Sequence, residues 1–98
     1  MTIALKALDF TQPSRSVVDS ARALGDEVCR RVASSPTVVV AFDGLRGVSS
    51  SYFNVLFQTI RDTAGTETLR SAVEFRYDSD AQRTIAQRSL RAVLASAA

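Results

Sequence analysis

A chain of 98 residues has room for one domain, residues 1–98, and for a hydrophobic core built without metals or disulfides. Its 46% hydrophobic and 22% charged residues exclude disorder of the low-hydrophobicity kind, and a net charge of +2 falls short of a nucleic-acid-binding footprint. The single cysteine, Cys29, permits no intrachain disulfide and suits a reducing compartment; with no apolar run of membrane-spanning length and no signal-peptide layout at the start, the expected setting is cytoplasmic.

In chain order, Thr2–Leu8 alternates with Ile3, Leu5 and Ala7 against Lys6, which predicts a short strand. Pro13 breaks the chain, and Ser14 or Ser16 is placed to cap a helix starting at Val17. Val17, Ala21, Leu24, Val28 and Val32 fall on one stripe of that helix, with Arg22, Asp26, Arg30 and Arg31 on the wet side. Gly25 costs the helix ~1 kcal/mol relative to alanine, so close packing against a neighbour is the expected reason for it. Ser34-Ser35-Pro36 ends the element.

Thr37–Phe42 is β-branched and apolar without alternation, the pattern of a strand buried on both faces of a parallel sheet. Asp43–Val48 is a loop punctuated by Gly44 and Gly47. A helix is expected from within Ser49–Ser51 to about Thr63, burying Phe53, Leu56, Phe57, Ile60 and Ala64 and stopping at Gly65. Leu69–Tyr77 alternates again and predicts a strand at a sheet edge. Asp78-Ser79-Asp80 opens a last helix, expected to turn Ile85, Leu90, Val93 and Leu94 inward and Gln82, Arg83, Gln87, Arg88 and Arg91 outward. The expected fold is α/β, in β-α-β-α-β-α order, with a mostly parallel sheet and packed helices.

The absence of histidine removes a Ser-His-Asp triad and imidazole ligands, and one cysteine builds no zinc site. No GxxxxGK[ST] or GxGxxG loop is present, so no cofactor, metal or catalytic residue is expected. Asp43, Asp78 and Asp80 read as capping and loop residues, and Cys29 as a small core hydrophobe. The chemistry-bearing feature that remains is the serine cluster Ser49-Ser50-Ser51, placed after a buried strand at a helix N-terminus, where unpaired N–H groups and a partial positive charge suit an anion.

Around that turn the sequence resembles the STAS domain of anti-sigma-factor antagonists, and more closely a group of small bacterial STAS-like domains of undefined function. Laid on the chain without gaps, the strand-end Asp of the STAS pattern falls on Ala41 and the loop glycine on Gly44. The apolar pair falls on Leu45 and Val48, and Asp-Ser-Ser-Gly on Ser49-Ser50-Ser51-Tyr52. The STAS-like group has Asp-Phe and Ser-Phe at the strand end and helix start, matching Ala41-Phe42 and Ser51-Tyr52, and an upstream Ser-Arg matching Ser14-Arg15. The similarity spans roughly Ser14 to Leu94, and its motif acid and glycine are Ser49 and Tyr52 here.

The resemblance implies a non-catalytic regulatory module that docks a partner protein through Asp43, Arg46, Ser49, Ser50, Ser51 and Tyr52. It also implies Ser50 as the phosphoacceptor of a GHKL-type ATPase or kinase partner. The alternative is a small nucleic-acid-associated or mobile-element protein that uses the arginines of the first and last helices. No membrane contact is expected; a homodimer would use the sheet edge near Leu69–Tyr77.

Overall fold

The computed structural model describes residues 2–12, 15–46 and 48–96. Pro13, Ser14 and Gly47, invoked above as a break, a cap and a loop glycine, lie outside the described residues. Strand β1 (Thr2–Lys6) runs into a 3₁₀ turn at Ala7–Phe10, followed by helix α1 (Val17–Val32) and strand β2 (Thr37–Ala41). Helix α2 (Ser50–Ala64) leads directly into a short helix α3 (Thr66–Ser71), then strand β3 (Val73–Arg76) and helix α4 (Asp80–Ala95). The three strands form one parallel sheet in the order β1-β2-β3. The α/β class and the parallel sheet are therefore as the sequence predicts. No helix among the described residues is long and apolar enough to cross a membrane.

With consecutive strands side by side, crossovers of one hand carry their helices to the same face of the sheet. The core follows from that placement. Val38, Val40 and Val73 of the sheet meet Ala21, Leu24 and Val28 of α1 and Phe53, Leu56, Phe57 and Ile60 of α2. The opposite face carries Ala4, Lys6, Glu74 and Arg76, all exposed, with Glu74 and Arg76 ion-paired at 2.7 Å. Strand β2 is buried as expected, but helices cover one face of it. Val39, on the other face, is 6% exposed because the pairing seats it between Ala4 and Glu74 in the middle of the sheet.

Three other expectations are corrected. The first strand stops at Lys6, and Ala7 is buried in the 3₁₀ turn rather than in the sheet. Leu69 belongs to α3, so the third strand is only four residues long. Gly65, with φ +98°, does end α2, and Leu69 is then buried by a helical turn that starts one residue later. Helix α4 departs from the expected stripe at two positions: Gln82 is buried with Ala86 and Ser89, and Ile85 is 36% exposed, while Val93 is buried and Leu90 and Leu94 pack against the core as expected. Small residues let α4 approach α2 closely, and Ser89 donates to the side-chain carbonyl of Asn54 across the contact. Ile85 is too bulky for that seam.

Residues at each helix start explain where the helices begin. Ser16 caps α1 by accepting from the Asp19 N–H at 3.0 Å, and Ser79 caps α4 by accepting from the Gln82 N–H at 3.1 Å. Gln82 answers by accepting from the Asp78 N–H at 2.8 Å, a variant of the capping box, and its amide nitrogen reaches the Leu45 carbonyl at 3.5 Å. This buried glutamine ties α4 to the loop that carries the candidate site.

Candidate functional site

The β2–α2 connection begins with a tight turn in which the Leu45 N–H donates to the Phe42 carbonyl at 3.1 Å. Gly44 holds φ +77° at its third position, a conformation that side-chain-bearing residues adopt only at a cost. The Gly44 N–H donates to the Asp78 carboxylate at 3.3 Å, and Leu45 is buried beneath the turn. A ring cluster underlies this end of the sheet. Phe42 stacks on Tyr77 at 5.5 Å and meets Phe53 edge-on at 5.4 Å, and Phe53 in turn meets Tyr52 edge-on at 5.4 Å. The turn thereby rests on a packed aromatic floor.

On that floor Asp43, Arg46, Ser49, Ser50 and Ser51 are all exposed. Ser49 is the N-cap of α2 in extended conformation, but its hydroxyl caps nothing, and the first turn holds no acid. In α1 and α4 the cap serine is engaged and an aspartate follows it. The start of α2 therefore keeps its positive end uncompensated, with three serine side chains free to face solvent.

Tyr52 is the correction. The sequence reading placed it on the contact surface, but its ring is 1% exposed, because as the third residue of α2 it shares the inward face with Phe53 and Leu56. Its hydroxyl is the one buried side-chain polar atom among the described residues that has no hydrogen-bond partner. Burial pushes its pKa up to about 12, so the phenol stays protonated and is a donor at neutral pH.

Two depressions flank the start of α2. One, of about 390 Å³, is a groove against α4 lined by Ser50, Asn54, Ile85, Arg88, Ser89 and Ala92. The other, of about 80 Å³, lies against α1 and is walled by Thr11, Arg15, Val17, Ser20, Arg46 and Tyr52. Sequence reasoning found Arg46 and Ser50 but missed Arg15, Ile85 and Arg88 as neighbours of the turn. Only the tertiary packing brings them there.

Charge pairing singles out the same place. Arg22 pairs with Asp19, Arg30 and Arg31 both with Glu27, Arg61 with Asp62, Arg70 with Glu67, and Arg83 with Asp80. The two guanidinium groups hold the Glu27 carboxyl below its usual pKa. Among the described residues, Arg15, Arg46, Arg88 and Arg91 have no carboxylate partner; Arg15 donates to the Phe10 carbonyl at 3.0 Å and Arg91 to that of Gln87 at 3.5 Å. Arg46 and the Arg15 and Arg88 side chains border the two depressions.

The other candidates have structural employment. Asp78 holds the turn and Asp80 pairs with Arg83, and among the described residues no group of His, Cys, Asp and Glu side chains is assembled to hold a metal ion. Cys29 is half-buried against the core beside Thr59, and burial raises its thiol pKa, which disfavours the reactive thiolate. Comparison with known family models, curated proteins and solved structures finds no match for this chain.

Proposed function

We propose that this chain is a non-catalytic regulatory module that docks a partner protein through the β2–α2 turn and the start of α2, residues 43–54. The observation that carries the reading is the groove in which exposed Ser50 faces Arg88 and Ile85 across the α2–α4 seam. An apolar side chain beside an unpaired guanidinium fits a partner segment that presents an acidic residue next to an apolar one. Tyr52 then serves as a buried support of the turn rather than as a contact. The STAS-like resemblance supports the same surface, with a GHKL-type ATPase as the partner class.

Ser50 phosphorylation fits as the control. A phosphate there adds about −1.5 to −2 charges beside Arg88 while resting on a helix N-terminus that tolerates them. The fold is spared and the groove changes sign. The nucleic-acid alternative draws less support, since in α1 Arg22 pairs with Asp19 and Arg30 and Arg31 share Glu27, which leaves Arg88 and Arg91 of α4 as the helix arginines without a carboxylate partner among the described residues.

The test is affinity purification from the source cell with the wild-type chain and with Ile85→Asp/Arg88→Glu. One partner retained by the wild type and lost by the double variant, with an unchanged far-UV circular dichroism spectrum, is the expected result. Equal recovery by both overturns the reading.

A further inference from the structure

The row of helices is wider than the sheet beneath it. Helix α1 packs on α2 and α2 packs on α4, all on one face of three strands. Helices in contact stand about 8–10 Å apart, whereas hydrogen-bonded strands stand about 4.8 Å apart. Three helix axes therefore span roughly 16–20 Å and three strands only about 10 Å. Helix α4, outermost on the β3 side, extends past β3 with no strand below it among the described residues. Its α2 side is marked by Ser89, which meets Asn54, and by Val93 and Ser96, which accept from Arg61. At about 100° per residue, Ile85, Arg88 and Ala92 fall to one side of that seam, on the solvent groove. Arg83, Leu90 and Leu94 fall to the other, toward the sheet. Leu90 and Leu94 pack against the core and are only half-buried.

Beside this overhang β3 presents an unpaired edge. The Val38 N–H donates to the Ala72 carbonyl and the Phe42 N–H to the Arg76 carbonyl, both at 3.0 Å. Backbone groups alternate along a strand, so residues 72, 74 and 76 bond to β2 while Val73, Phe75 and Tyr77 turn their N–H and C=O groups outward. None of those outward groups has a bond among the described residues. The side chains of the same three residues face the helices: Val73 is buried, Phe75 meets Phe57, and Tyr77 meets Phe42 and Phe53. On the opposite face Glu74 and Arg76 are exposed and paired with each other. An extended chain is the conformation that satisfies such an edge. A second copy cannot supply it with its own β3. The two-fold axis of that pairing sets both helix layers on one face of the joined sheet, and each α4 would run into the other copy's α2.

We propose that the β3 edge under α4 takes one extended segment of another protein as a fourth strand, antiparallel to β3, with alternating apolar and charged side chains. Apolar residues opposite Val73, Phe75 and Tyr77 enter the space bounded by those side chains and by Leu90 and Leu94. On the other face a base opposite Glu74 and an acid opposite Arg76 complete the charge pattern. Read from its N-terminus, the segment is therefore apolar, acid, apolar, base, apolar. Antiparallel addition bonds slightly better per residue than parallel addition, which sets the direction. This edge is separate from the turn and groove of residues 43–54, and the assignment does not rest on that reading.

The experiment is a titration of the isotope-labelled full chain, followed by its amide and methyl shifts. The probe is the end-capped peptide Thr-Val-Glu-Val-Lys-Val-Thr, with one control that exchanges Glu and Lys and another that replaces the central Val by Pro. Saturable shifts centred on the Val73 and Phe75 amides and on the Leu90 and Leu94 methyls are expected. The exchanged peptide should bind about fivefold or more weakly, since two opposed pairs become like-charged. The proline peptide should not bind, because it lacks the donor aimed at Phe75. The double variant Glu74→Arg/Arg76→Glu, at exposed positions, should reverse the preference between the two charged peptides. Arg88→Glu, on the opposite flank of α4, should bind the probe as the wild type does. The proposal is overturned by absence of saturable shifts, by shifts centred on Thr2–Lys6 or on the groove, by equal affinity for any two of the peptides, or by a double variant that keeps the wild-type preference. Arg88 belongs to the docking groove and not to this edge, so each proposal can fail without the other.

Discussion

Gly25 of α1 and Thr59 of α2 are packed so closely that a Cβ on Gly25 would stand 2.8 Å from the Thr59 Cγ2 and 2.9 Å from its Cβ. The glycine is therefore a point of closest approach between α1 and α2, and it offsets its poor helix propensity by letting them approach. Gly25→Ala should gain ~1 kcal/mol in intrinsic propensity yet lose ~1–3 kcal/mol through overpacking, for a net loss. Adding Thr59→Ser removes the nearer carbon only, so rescue in urea denaturation should be partial. A Gly25→Ala variant more stable than the wild type would show that the helices separate at little cost.

Tyr52 predicts an alkaline limit. Its folded-state pKa of about 12 lies above the ordinary 10, so the folded chain holds a proton that the unfolded chain gives up. Stability is fully present below pH 10 and falls as pH rises toward 12, by up to ~2–3 kcal/mol from this residue. Tyr77, raised to about 12 by burial with Arg83 pulling the other way, adds to the fall. Tyr52→Phe should make the decline shallower. Below pH 10 it should be neutral to stabilising by up to ~1–3 kcal/mol, since it deletes an unpaired buried hydroxyl. Chemical denaturation across that pH range reads both effects.

The start of α4 is fixed by Ser79 and Gln82 together. Ser79→Ala removes the acceptor for the Gln82 N–H and should cost ~1 kcal/mol. Gln82→Ala also frees the Asp78 N–H and the Leu45 carbonyl, so it should cost more and should disturb the β2–α2 turn. Backbone amide shifts of Gly44–Arg46 would register the second change and not the first.

The exposure of Ile85 on α4 is equally testable. Ile85→Ala, at an exposed position, should change stability by no more than ~0.5 kcal/mol, whereas Leu56→Ala in the core should cost ~2–5 kcal/mol. A large loss at Ile85 would return it to the interior.

These cases mark how far the sequence can be read. The β2 run Val38–Val40, the α1 stripe and the need for space at Gly25 were legible because each follows from a local period or a single costly residue. In α4, Leu90, Val93 and Leu94 were legible from their period, but Ile85 and Gln82 were not: the seam against α2 uses Ala86 and Ser89, whose smallness matters and whose hydropathy is unremarkable. Leu69 fitted the alternating pattern of the strand that follows, but it is buried by the short helix α3 that begins directly after Gly65. At the site, the exposed serines were legible from composition. Tyr52 was not, since its position at a helix start suggested surface while its face of α2 is set by Phe53 and Leu56.

The second strand lies in the middle of the sheet, with the first and third on its flanks. Among the described residues every inter-strand pairing therefore involves β2, and neither outer strand pairs with another. Local opening should be graded accordingly: amides of β1 and β3 exchange with solvent by peeling away singly, while those of Val38–Val40 exchange only when the whole chain unfolds. Their exchange rates would report the global stability of the protein without any denaturant.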